Sequence, residues 1–274
     1  MVSDLHVAHK IEGSGKMKAV ILAGGMQSTL HSRGEGIPKP MVEIGGKPLL
    51  WHIMKHFSEY GICEFIVCAG YRADMVKEYF MNFYIYQSDI TVDLQSNRIE
   101  IHKKKTEDWK VTVVDTGLFS STGQRVGMVQ NYLDEDSFIV AYGDCLSDID
   151  VNALLHTHLQ AGKTATAAVA RPTGRNRLLS VDAQGRLHYD TSWVPQDSVA
   201  WVNANCMVLC RDAFSYLQGN YDLEKQLLVK LSDKGQLVAY EHLGYWTAVE
   251  TKRDLAEAEN LWNAGIAPWA RWRK

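Results

Sequence analysis

Apolar residues fall in short runs at 17–23, 63–69, 111–115, 137–142, 164–170 and 200–210. Runs of that length, rich in Val, Ile, Ala and Cys, predict strands covered on both faces. Between the early runs the period changes. Apolar positions three and four apart predict helices at about 48–60, 73–84, 122–133 and 151–161, with further helical spacing over 222–233 and 251–265. Alternating strands and helices argue for an α/β fold, a largely parallel sheet with helices on both faces. Residues 89–104 predict a hairpin around Ser96-Asn97, and residues 178–190 a second one turning at Ala183-Gln184-Gly185.

Ligands of such sheets bind beyond the carboxyl ends of the strands. Gly24-Gly25, Gly70 and Gly143-Asp144 all fall at such ends and are expected to be neighbours in space. The run Val20-Ile21-Leu22-Ala23 leads straight into the paired glycines, whose backbone N–H groups a phosphate can approach closely. Pro38-Lys39-Pro40-Met41 follows, and a lysine returning to that turn would bring positive charge. Taken alone, Gly24-Gly25 also fits a tight turn, Lys39 a solvated lysine and Asp144 a cap for the helix at 151–161.

Composition narrows the classes. The 274 residues suit one large α/β domain, and no repeat, low-complexity stretch or Pro/Gly-rich linker divides them. Residues 17–274 are therefore read as a single domain. Residues 1–16 are polar and read as a loose extension, with Met17 as the original start. A net charge of −3 predicts no broad basic surface, which argues against a nucleic-acid partner. No apolar run approaches the ~18–20 residues that cross a membrane. Five cysteines, odd in number and set mostly in apolar runs, suit reduced buried thiols in a cytoplasmic protein. Cys206 and Cys210 lack a second pair with zinc-like spacing, and His52 with His56 lacks a third ligand. His156 and His158 are expected on a helix surface. The aromatic tail 267–272 is expected to pack on a neighbour or a second subunit.

Several blocks then recur in a known order: Pro38-Lys39-Pro40-Met41-Val42-Glu43-Ile44-Gly45-Gly46-Lys47-Pro48, Trp51-His52-Ile53-Met54, Val114-Asp115-Thr116-Gly117, Thr122-Gly123 with Arg125, Tyr142-Gly143-Asp144, Lys252-Arg253-Asp254 and Ala267-Pro268-Trp269. Over about residues 17–272 the chain resembles the glucose-1-phosphate cytidylyltransferase family of sugar-1-phosphate nucleotidylyltransferases. The resemblance implies a Rossmann-like, mixed but mostly parallel sheet flanked by helices. It implies CTP and a small phosphorylated substrate as partners, release of pyrophosphate, Mg²⁺ as cofactor and a homo-oligomer. Carried over position by position, Ala23, Gly24, Gly25, Lys39, Ser120, Arg125 and Gly143 would hold the nucleotide. Lys39 and Asp144 would be catalytic, Asp144 and Glu250 would bind the metal, and Arg177, Trp193 and Asn203 would line the substrate pocket.

The chain also departs from that pattern. Gln27 replaces a glycine and Thr29 an arginine of the signature turn; Glu250 replaces an aspartate. Val194 stands for a lysine, Arg177 for a glycine, and Asn203-Ala204-Asn205 for Asn-Gly-Gly. Three readings follow: a nucleotidylyltransferase, a nucleotide-binding protein that has lost turnover and serves as regulator or partner subunit, and a pocket turned to another anionic ligand.

Overall fold

The computed structural model describes residues 17–25, 36–103, 106–171, 179–182, 184–188, 200–217, 219 and 221–273. Its centre is a seven-stranded sheet. In chain order the strands are β1 (Lys18–Ala23), β2 (Glu64–Ala69), β3 (Lys110–Asp115), β4 (Ser137–Tyr142), β5 (Ala165–Ala170), β6 (Val202–Cys210) and β7 (Leu237–His242). They lie in the order β7-β5-β6-β4-β1-β2-β3. Only β6 runs antiparallel to its neighbours, so the sheet is mixed and mostly parallel, as the alternation predicts.

The apolar runs are continuous because both faces are covered. In β1, Ala19, Ile21 and Ala23 point into one core while Val20 and Leu22 point into the other. The first core packs against α1 (Leu49–Ser58), α2 (Ala73–Met81), α4 (Val151–Ala161) and α5 (Lys252–Asn263); the second packs against α3 (Thr122–Met128) and the segment Leu223–Leu231. Local signals set the helix ends. The Asp150 side chain accepts the Ala153 N–H at 3.0 Å to start α4, and Gly162 ends it with φ of 57°. Asp150, not Asp144, caps this helix, which removes the capping role considered for Asp144.

Several expectations shift. Strand β7, whose Leu237-Val238-Ala239-Tyr240 signal was not among the predicted runs, adds a parallel edge beside β5. The predicted helix at 122–133 ends at Met128 and continues as the 3-10 turn Gln130–Tyr132. The helix at 222–233 opens as the π-helical turn Leu223–Leu228 before the α turn Val229–Asp233. Both hairpins form, Asp89–Asp93 with Arg98–Lys103 and Ser180–Val181 with Leu187–His188. His158 is not on the surface: it is buried, with Nδ1 3.0 Å from Thr166 Oγ1. The aromatic tail packs on its own chain, where Trp269 is buried and Trp272 stands edge-on to Trp51. Trp269 Nε1–H donates to His52 Nδ1 at 3.3 Å, and His52 Nε2 faces Ile44 O at 2.9 Å, so both nitrogens of that imidazole are engaged. No helix among the described residues is long and apolar enough to cross a membrane.

Candidate active site

Four strand ends, those of β1, β2, β3 and β4, converge at the carboxyl side of the sheet. The Gly143 N–H, after β4, donates to Leu22 O of β1 at 2.9 Å, and the Thr116 N–H, after β3, donates to Ala69 O of β2 at 2.9 Å. A Cβ on Gly70 would lie 2.9 Å from Gly24 O and 3.0 Å from Gly117 O, and one on Gly143 3.0 Å from Leu22 O and from Pro40 Cγ. The glycines at these ends are therefore what lets the backbones close on one another. Above them opens a cleft of about 700 Å³ lined by Gly24, Gly25, Lys39, Ser120, Arg125, Gly143, Asp144 and Glu250 among others. The sequence-derived nucleotide and metal positions are thus brought to one place, with Ala23 buried directly beneath. Leu118, Phe119 and Asp222 also line the cleft. Their positions carried no motif, so nothing in the one-dimensional pattern marked them.

The two carboxylates are far apart in sequence, and a small ladder joins them. Strand Cys145–Ser147 pairs antiparallel with Trp246–Ala248, and the Val249 N–H donates to Asp144 O at 2.8 Å. Immediately after Glu250, Thr251 and Asp254 form a reciprocal capping box that starts α5, and the Glu250 N–H itself donates to Asp254 Oδ2 at 3.0 Å. Lys39 follows the extended Pro38 in a single 3-10 turn, and its Nζ reaches Asp144 Oδ2 at 3.0 Å. Burial opposes the lysine's charge, but Asp144, by charge and hydrogen bond, and then Glu250 outweigh it and hold the ammonium above its ordinary range. Lys39 is therefore a cation held by Asp144 and within the field of Glu250 rather than a free surface lysine.

Arg125 is 4 % exposed, and its guanidinium forms the floor of the cleft. Its Nη1 donates to Thr116 Oγ1 at 2.6 Å and to Gly117 O at 2.8 Å, and its Nη2 to Leu118 O at 3.2 Å. Burial lowers its pKa, partly offset by Cys68 and Asp115, yet an arginine stays charged in a protein. A buried positive charge facing carbonyl oxygens under a glycine turn favours an anion above it.

Asn203 is not among the residues lining the cleft; its side chain accepts the Asn205 N–H at 2.9 Å and donates to Glu224 Oε1 at 3.2 Å. Arg177 and Trp193, like Gln27, Thr29 and Val194, lie outside the described residues. Among the described residues no three His, Cys, Asp or Glu side chains cluster as a metal cage. Two hard carboxylate oxygens facing a cleft, with an ammonium already against one of them, nonetheless fit Mg²⁺, which commonly takes one or two carboxylates and completes its shell with water and substrate phosphate.

Comparison with known proteins places this geometry. Residues 18–177 match the nucleotidyl transferase family. The glucose-1-phosphate cytidylyltransferase of Salmonella typhi is 41% identical over 258 residues, covering 93% of this chain and all of that one, and the enzyme of Salmonella typhimurium is equally similar. Among solved structures, HddC from Yersinia pseudotuberculosis, complexed with GMP-PN, superposes with a TM-score of 0.70 at 21% identity over 90% of this chain and 99% of that one. The inositol-1-phosphate CTP transferase from T. maritima gives 0.67 at 14% identity over 93% and 97%. These two likenesses concern the fold. With the family match over more than half its length and a relative matched from end to end, the chain belongs to the nucleotidyl transferase family, in its glucose-1-phosphate cytidylyltransferase branch.

Proposed function

We propose that this protein is an enzyme that transfers a cytidylyl group from CTP to a sugar 1-phosphate, with glucose 1-phosphate as the leading acceptor. A phosphate oxygen of the sugar phosphate attacks the α-phosphorus, a P–O bond forms, the α–β anhydride bond breaks, and pyrophosphate leaves. Such displacement needs positioning and charge neutralisation more than covalent help. The observation that carries the reading is the Lys39–Asp144 pair, with Glu250 beside it, at the mouth of the glycine-turn cleft. Lys39 would neutralise phosphate charge, the Gly24-Gly25 backbone would approach the triphosphate, and Arg125 would fix the loop at 116–118 and add positive potential from below. Mg²⁺ held by Asp144 and Glu250 would supply further neutralisation of the triphosphate. The reaction would run in the cytoplasm, where the five free thiols are kept reduced.

The test is pyrophosphate release from CTP, glucose 1-phosphate and Mg²⁺, with Lys39→Ala and Asp144→Asn each expected to lose at least ~10²-fold in kcat. Absence of pyrophosphate over a panel of nucleotides and sugar phosphates would overturn the reading. Nucleotide-induced stabilisation without product would favour the binding protein that has lost turnover.

The same reading includes assembly with further copies of this chain. The hairpin Asp89–Asp93/Arg98–Lys103 sets Ile90 across from Ile101 and Val92 across from Ile99, one apolar face with Ile90, Val92 and Ile99 exposed. A two-stranded hairpin is at best marginal by itself. Light scattering should report a multimer that Val92→Asp with Ile99→Asp dissociates; a wild-type monomer at micromolar concentration would sink this part.

A further inference from the structure

Opposite β5, strand β6 loses its register: Ala167 pairs with Met207 but Val169 with Asn203, so two steps on one strand span four on the other. Asn205 sits in this bulge with φ of 57°, the left-handed region that favours glycine. The bulge is well anchored, because Ala204 O accepts Trp246 Nε1–H at 2.8 Å and Asn203 Oδ1 accepts the Asn205 N–H at 2.9 Å. What the asparagine gains from this conformation is a contact. Its Nδ2 donates to Cys145 Sγ at 3.1 Å, and Cys145 Sγ in turn lies 3.4 Å from Asp144 Oδ1. Asp144 thus meets Lys39 through Oδ2 and the thiol through Oδ1.

We propose that Cys145 and Asn205 are positioning residues for Asp144: the amide orients the thiol, and the thiol holds the carboxylate plane that faces the cleft. The inference rests on the reading of Asp144 as the metal-binding carboxylate. The direction of the bonds is consistent. An amide NH2 can only donate and a carboxylate oxygen only accepts, so Cys145 Sγ accepts from Asn205 and gives its S–H to Asp144. Bulges and left-handed non-glycine residues are features that concentrate beside active sites, where they re-aim a side chain. Groups that orient a metal's ligands typically change metal affinity 10–100-fold when removed.

The experiment compares wild type with Cys145→Ala, Cys145→Ser, Asn205→Gly and the Cys145→Ala/Asn205→Gly pair. The readouts are Mn²⁺ binding by calorimetry with bound nucleotide but no acceptor, the Mg²⁺ activation constant against the nucleotide KM, and the melting temperature. Cys145→Ala and Asn205→Gly should each weaken metal binding about tenfold while the nucleotide KM stays within about twofold. Cys145→Ser keeps a donor and should stay within about twofold of wild type. The double variant should be no worse than either single, because both remove one chain of bonds. Asn205→Gly relaxes a positive φ, so its melting temperature should hold or rise while metal binding falls, an opposition that a purely structural role would not produce. Unchanged metal binding in both single variants, or additive losses, overturns the proposal. A wild type that binds Mn²⁺ and releases pyrophosphate while the variants match it refutes this inference alone; a wild type that does neither refutes the proposed function with it.

Discussion

Gly24 and Arg125 form a single device at the residue scale. A Cβ on Gly24 would lie 2.1 Å from Arg125 Nη1, and that guanidinium cannot swing aside without giving up its bonds to Thr116, Gly117 and Leu118. Gly24→Ala is therefore expected to raise the nucleotide dissociation constant at least tenfold with little change in overall fold, read by calorimetry; an unaltered constant would show that the floor of the cleft yields freely. Arg125→Ala should lower the melting temperature as well, because it leaves the buried Thr116 hydroxyl without its donor, at about 1–3 kcal/mol. Gly24 and Lys39 were legible in sequence because a strand-to-glycine turn and a nearby lysine are local patterns. Arg125 was legible only through the resemblance: its spacing to Gly24 says nothing of a contact that arises when α3 packs under β1.

At the scale of elements, the joint between α1 and the terminal segment gives a pH-dependent prediction. His52 and His56 lie one turn apart on α1, and burial pushes both down to about 4; hydrogen bonds to backbone raise them slightly, and Lys47 beside His52 and Arg271 beside His56 lower them. A depressed imidazole means the unfolded chain binds protons more readily, starting near the ordinary value of about 6.5. Stability is thus fully present above that value and is lost as pH falls toward 4, by on the order of 3 kcal/mol per imidazole at most. The melting temperature should therefore fall already between pH 6.5 and 5.5, above the carboxylate range, and a flat melting temperature across that window would contradict neutral buried imidazoles. Trp269→Ala removes the ring that lies against both His52 and Tyr245, and should cost about 3–5 kcal/mol in denaturant unfolding. The tail's aromatic pair was visible in sequence, but not its partner. Exposed or buried, on this chain or another, the same residues read alike until the segment is seen docked.

Across the whole molecule, the alternation of apolar runs and helical spacing was enough to determine a parallel α/β sheet covered on both faces, because a strand buried twice cannot afford polar positions and a helix buried once must repeat every three to four residues. The same logic marked the strand ends, and with them the glycines and Asp144. The edge strand β7 escaped because its burial alternates and Glu241 and His242 cut its apolar run to four residues, and β6 runs antiparallel without any one-dimensional sign of direction. Sequence by itself thus determined the architecture and the chemistry available: glycine turns, a lysine, two carboxylates. Only the tertiary structure decided which of these meet. Glu250 reaches Asp144 through the ladder of Cys145–Ser147 with Trp246–Ala248, and Asn205 reaches Cys145 through a bulge. The physical reason is range: periodicity records the burial each residue experiences, whereas contacts between residues a hundred positions apart depend on how whole elements pack.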